Sequence, residues 1–237
     1  MQRRSFLRSG GFDFGNALEV ISNTETGQCS NVTELNNVTK ASIHCWMKFN
    51  FSSNLLAVGS TLAPNKFGIV KFENGSMFFI LSSPTTAQGS VNVTAFNGQK
   101  VLVSCVFDGT LIGNSNRAKM YINGVQQTLT FNGTIPSQLG NSVGNSFGVN
   151  RFAALSQNGY YNETTITTDA STPAQITALY NSGSGALSTD VLTNVLIYWR
   201  YNEADGSTLI PDEIGNYPLT LVGFSTPPPY LVNWNSL

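Results

Sequence analysis

Apolar and polar residues alternate along Ser42–Phe49: Ile43, Cys45, Met47 and Phe49 fall on one face, His44, Trp46 and Lys48 on the other. A period of two is the signature of a β-strand with two distinct faces. Phe67–Phe72 and Met77–Leu81 flank Glu73-Asn74-Gly75-Ser76, where Asn-Gly predicts a tight hairpin turn with two φ > 0 residues. Lys119–Ile122 and Val125–Thr130 flank Asn123-Gly124 and predict a second hairpin. Val101–Phe107 is a strongly apolar strand closed by Asp108-Gly109, and Val195–Tyr201 is another. Phe147–Phe152 and Glu163–Thr168 carry weaker strand signals. Short strands linked by turns predict a sandwich or barrel.

The pattern predicts one helix. Thr172-Pro173-Ala174-Gln175 combines a capping residue, proline at the first helical position and Gln three residues after the cap. Ile176, Leu179 and Tyr180 supply an i, i+3, i+4 apolar stripe, and Gly183 offers a stop. The segment after Phe224 begins with three prolines and ends in Tyr230, Leu231, Val232 and Trp234, a stiff start followed by apolar side chains. With Arg3, Arg4 and Arg8 at the other end, both ends look like arms, over 1–11 and 225–237, around a domain at 12–224. At least one is expected to be an assembly arm ordered by another subunit, the alternative being a tail that folds back over its own sandwich as an edge cover.

Composition supports strands and turns. Of 237 residues 41% are hydrophobic and only 11% charged, against a usual charged share of about 25%. The place of charge is taken by 26 Asn, 25 Ser, 23 Thr and 22 Gly, which disfavour long helices. A net charge of −1 offers no basic field for nucleic acid, and no apolar run reaches the roughly 20 residues of a membrane span. Charge is unevenly divided: residues 1–162 sum to +5 and residues 163–237 to −6, a split that suits unlike ends of neighbouring subunits. Three cysteines fit no zinc or redox spacing, and buried thiols are expected at Cys45 and Cys105. Arg3-Arg4 resembles a twin-arginine signal, but Ser9–Asn16 supplies no apolar stretch, so an export signal is not expected. Seven Asn-x-Ser/Thr sequons are what this composition produces by chance.

The order of motifs resembles the LamG-like, concanavalin A-like jelly-roll family over about residues 12–224. Ser42-Ile43-His44-Cys45-Trp46-Met47-Lys48 is similar to its (S/T)-I-x-x-W-(V/M)-K strand, and Val103–Gly109 to V-A-V-x-Y-D-G. Lys119-Met120-Tyr121-Ile122-Asn123-Gly124-Val125 resembles K-x-Y-(V/I)-N-G-V, and Tyr198–Glu203 with Asp205-Gly206 resembles Y-W-(R/K)-(F/L)-(D/N)-E-x-x-G. Phe12–Val20 looks like the family's first strand and Pro173–Tyr180 like its short helix. Where the family often has Trp-His, this chain has Gln99-Lys100. The resemblance implies an all-β fold: two antiparallel sheets in a jelly-roll sandwich, one short helix, and Cys45, Cys105 and Trp199 buried.

No enzyme is expected. Retaining glycosidases on this fold place three carboxylates on one strand face, whereas Glu203-Ala204-Asp205 is followed by no third acid. The sole histidine, His44, sits mid-strand without a nucleophile elbow elsewhere. No resident cofactor is expected; calcium has candidate oxygen ligands in Asp205, Asp212 and Glu213. Tyr160, Tyr161, Tyr217 and Trp234 are candidate sugar-stacking rings. Two functional expectations stand side by side. The first is a virion structural protein, a bacteriophage decoration, fibre or tail component. It would be made in the host cytoplasm and displayed on the particle surface, with copies of itself, other virion proteins or host-surface glycans as partners. The second is an extracellular or cell-surface carbohydrate-binding or adhesion module.

Overall fold

The alternating stretch from Ser42 lies within a ten-residue strand whose inward side chains, from Ile43 to Phe49, are fully buried. A computed structural model describes residues 12–49, 56–60, 66–72, 74–83, 85–141, 147–150, 159–224 and 230–237. Arg3, Arg4 and Arg8, the last two residues of the Phe147–Phe152 stretch, and the three prolines lie outside the described residues.

In chain order the strands are β1 (Asn16–Val20), β2 (Thr26–Gln28), β3 (Lys40–Phe49), β4 (Leu56–Ser60), β5 (Phe67–Lys71), β6 (Ser76–Ser82), β7 (Thr86–Asn92), β8 (Lys100–Asp108) and β9 (Ala118–Ile122). They continue as β10 (Val125–Gln127), β11 (Thr130–Asn132), β12 (Gly148–Val149), β13 (Gly159–Thr167), β14 (Val195–Trp199), β15 (Leu209–Ile210), β16 (Leu219–Val222) and β17 (Leu231–Asn233). One sheet, A, runs β10-β9-β8-β3-β13-β1-β17, with β14 also on β13; the other, B, runs β11-β7-β6-β5-β4-β12-β2-β16-β15. All pairings are antiparallel. The result is the expected two-sheet antiparallel sandwich.

Register explains the core. Ile43 lies opposite Cys105 and Cys45 opposite Val103, so inward side chains of β3 and β8 meet in pairs. They face Phe67, Ile69, Phe79 and Leu81 of sheet B within one continuous cluster. Each such side chain is worth about 1.5–3 kcal/mol when removed from water. Trp199 joins this cluster fully buried, and all three cysteines are free thiols. Burial pushes the Cys45 thiol up to about 12. The layers are also tied by hydrogen bonds: the Ala57 N–H donates to the Tyr161 hydroxyl at 2.8 Å, and the Trp199 indole to the Tyr217 carbonyl at 2.7 Å.

Turn chemistry departs from expectation at one hairpin and follows it at the other. Asn123 and Gly124 both have positive φ, 53° and 80°, as a two-residue turn with the twist of its strands requires. At the β5–β6 connection Gly75 does, at 78°, and Asn74 does not. Phe72 and Ser76 close that loop through the Phe72 N–H at 2.8 Å, making it a three-residue connection. The run Val125–Thr130 is not one strand: β10 ends at Gln127 and the chain switches sheets, so that Thr130 pairs with Ser90 of β7.

Three short helices are present among the described residues, not one: α1 (Asn114–Arg117), α2 (Pro173–Tyr180) and α3 (Ser188–Val191). Only α2 is long enough to show apolar periodicity. Its capping box forms as predicted, with Thr172 and Gln175 exchanging hydrogen bonds. It stops two residues earlier than Gly183 suggested, because Asn181 takes the left-handed conformation at φ 45°.

The C-terminal segment corrects the arm expectation. β17 pairs along β1, with Ala17 opposite Val232. Tyr230 and Leu231 are buried in the core between the sheets, and Trp234 is buried in the outer cluster against which Val232 packs. These apolar side chains find shelter on their own domain, so the described part of the proposed arm belongs to the sandwich.

Candidate functional site

The outer face of sheet A is roofed by α2, α3 and the C-terminal turn. Trp46 and Leu102 project outward and meet Leu179, Leu192, Phe14 and Trp234. Tyr180, the last residue of α2, stacks on Trp46 with ring centroids 5.8 Å apart. This contact brings the end of α2 against the β9–β10 turn, where a Cβ added at Gly124 would come into van der Waals contact with Tyr180 and Thr177.

Between turn and helix end is a groove of about 510 Å³ lined by Asn123, Val125, Thr177, Tyr180, Asn181 and Ser182 among others. None of its lining side chains is ionisable except the Tyr180 phenol. Asn123 spends its carbonyl oxygen on the Leu102 N–H at 3.0 Å, which leaves its NH2 group as a donor. Asn181 spends its NH2 on the Gly185 carbonyl at 2.9 Å, which leaves its oxygen as an acceptor. A fixed donor and a fixed acceptor beside a half-buried aromatic ring suit a ligand whose hydroxyls both give and take hydrogen bonds and whose C–H face is apolar. The Asn123-Gly124 turn was legible in the sequence, but its apposition to Asn181 depends on helix docking.

The residues singled out from sequence are scattered. Tyr161 is sealed in the core and is therefore unavailable to a sugar. Tyr217 is 8% exposed and donates its hydroxyl to Glu34. Tyr160 is half-buried, bonded to Glu19 at 2.8 Å with the Lys48 amine over its ring. Trp234 is 1% exposed.

Among the described residues no three His, Cys, Asp or Glu side chains form a group able to hold a metal. Asp212 instead accepts four backbone N–H bonds, from Tyr198 at 2.8 Å and from Ile214, Asn216 and Tyr217 at 3.1 Å each. Asp205 takes the N–H groups of Tyr230 and Leu231 and so anchors the last strand. Glu213 is exposed. Asp212 and Asp205 serve as backbone clamps rather than as a shared ligand set.

His44 lies on the outward face of β3, fully buried, with Ser104 and Ser171 hydroxyls at 2.9 Å from its two ring nitrogens. Burial pushes its pKa down to about 3. A neutral imidazole braced by two hydroxyls, with no carboxylate partner, has the surroundings of a structural group. Glu203 is half-buried, burial raises its pKa, and its Oε2 has no hydrogen-bond partner.

Sequence reasoning missed Glu163. It sits at an irregularity of β13, between Asn162 and Thr165, with φ 46° and 3% exposure. Arg200 Nε donates to it at 3.0 Å, and so does the Tyr198 hydroxyl. Desolvation outweighs both partners and raises its pKa to about 7. Here β13 changes neighbours, from β1 at residues 159–161 to β14 at 164–167. A bulge leaves no trace in hydropathy, so no sequence signal marked the site.

The fold is that of jelly-roll sandwiches. A Bacteroides ovatus protein provisionally described as a carbohydrate binding protein superposes with a TM-score of 0.58 at 11% identity, covering 90% of this chain and 60% of that one. The chain thus spans about three fifths of that protein. A heptameric SAP-like pentraxin from Limulus polyphemus superposes with a TM-score of 0.50 at 12% identity, covering 91% of this chain and 100% of the other. No family profile and no curated sequence matches this chain. No described helix is long and apolar enough to cross a membrane.

Proposed function

We propose that this chain is a non-enzymatic, LamG-like carbohydrate-binding module that acts outside the cytoplasm and seats a sugar unit in the groove between the β9–β10 turn and α2. The observation that carries the reading is the complementary pair of Asn123 NH2 and Asn181 oxygen beside Tyr180, in a groove lined without charged side chains. The likeness of fold to a protein described as carbohydrate binding supports it. Two net hydrogen bonds at about 0.5–1.5 kcal/mol each, with burial of one apolar sugar face, give the weak single-site affinity usual for such a shallow seat. The test is a glycan array followed by calorimetry on the strongest binder. Tyr180→Ala, with its melting temperature checked, should lose about tenfold or more in affinity. Unchanged binding would refute this seat.

A second reading, display on a virus particle, is favoured by the +5 and −6 division of charge along the chain, which suits head-to-tail packing of copies. Salt-dependent oligomers and recovery of the chain from purified particles would support it; a monomer absent from particles would not.

A further inference from the structure

A second groove of about 280 Å³ lies further along β10, where the chain crosses from sheet A to sheet B, lined by Lys119, Gln126, Gln127 and Phe131 among others. It repeats the chemistry of the first. Gln126 spends its oxygen on the Tyr121 hydroxyl at 3.2 Å and keeps a free NH2. Gln127 spends its NH2 on the Val125 carbonyl at 2.9 Å and keeps a free oxygen. Phe131, half-exposed, is the aromatic ring of this groove, as Tyr180 is of the first. Lys119 has no ion-pair partner among the described residues, whereas Lys40 and Arg200 do.

Both grooves border the edge strand β10, Val125 lining the first and Gln126 and Gln127 the second, and no described strand pairs beyond it. Its three residues cover about 10 Å at the usual strand rise. Val125, 64% exposed, forms an apolar saddle at the first groove. A chain of linked sugars can cross such a saddle, while a single sugar leaves one donor–acceptor pair unused.

We propose that the groove at the sheet crossing is a second saccharide seat, so that the ligand is an oligosaccharide lying along β10 and not a single terminal sugar. This rests on the carbohydrate reading of the first groove, and the two can fail separately. The experiment is calorimetry of the full chain with glucose, galactose and N-acetylglucosamine oligomers of two to six units. The proposal expects affinity to rise at least tenfold from dimer to hexamer in one series. Gln127→Ala combined with Lys119→Ala should remove most of that gain and leave dimer affinity unchanged. Circular dichroism and the melting temperature report whether the variant is folded, and Phe131→Leu provides an independent variant of the same seat. Equal affinity at all lengths, or an equal loss at all lengths in both variants, overturns the second seat while leaving the first in place. Absence of binding at every length, with no effect of Tyr180→Ala on any array signal, defeats the carbohydrate reading itself.

Discussion

Trp234 lies three residues from the end of the sequence, and its side chain is 1% exposed. It closes the roof on sheet A beside Phe14, at 6.1 Å between ring centroids, and the Lys100 amine lies 5.3 Å from its ring centre. Trp234→Ala removes this indole and leaves a cavity over Phe14 and Ala17, for which the expected cost is about 3–5 kcal/mol. Loss of the cation–ring contact adds about 0.5–1 kcal/mol at a partly exposed site. Against a total stability of about 5–15 kcal/mol for a domain, this is a large share. With a urea m-value of about 3 kcal/mol/M for a chain of this size, the midpoint should fall by about 1–2 M. Equilibrium unfolding followed by far-ultraviolet circular dichroism measures it directly, since that signal does not depend on the residue removed. A midpoint shift below about 0.3 M would mean that the segment contributes nothing to the fold, and the placement of β17 and Trp234 on this domain would be wrong.

Asp212→Ala should cost about 2–4 kcal/mol, because the buried N–H groups of Tyr198 and Tyr217 lose their acceptor while those nearer the surface can turn to water. Millimolar calcium should leave the wild-type melting temperature unchanged against a chelator control, and a rise of several degrees would contradict the clamp role. Glu163→Gln should gain stability relative to wild type as pH rises. The native pKa of Glu163 is raised from 4.5 to about 7, so its contribution is fully favourable below about pH 4.5 and is lost as pH rises through 7. At about 1.4 kcal/mol per tenfold change in proton affinity the difference approaches roughly 3 kcal/mol, reduced if the Arg200 pair relaxes. Urea titrations of both proteins at pH 5 and pH 8 check this, and a pH-independent difference would refute it.

What the sequence disclosed was local. The alternation of Ile43 to Phe49 sets the inward face of β3, Asn123-Gly124 sets its turn, and Thr172 to Gln175 sets its capping box, each within a few neighbouring residues. What stayed hidden depends on distant partners. The break between Gln127 and Thr130 is decided by which sheet offers an edge. The four N–H donors around Asp212 come from two segments, and an acidic residue in a turn looks the same whether it clamps backbone or faces solvent. Tyr161 and Tyr160 are adjacent in sequence, yet strand alternation buries one completely and leaves the other half open. The candidate grooves were the least legible, since each joins β10 to an element that hydropathy does not relate to it.

The pairing of β1 with β17 also sets how the molecule bears load. Asn16, where β1 begins, lies opposite Asn233, where β17 ends, so the two terminal strands enter and leave at the same end of the sheet. A pull that separates the termini therefore peels their hydrogen bonds apart one after another instead of shearing them together. A module tethered through both ends would yield first at this seam, at low force. Tethered through one end only, with its ligand held at the β10 edge on the far side of sheet A, it would carry tension across the strands of sheet A, including the long pairings of β3 with β8 and β13.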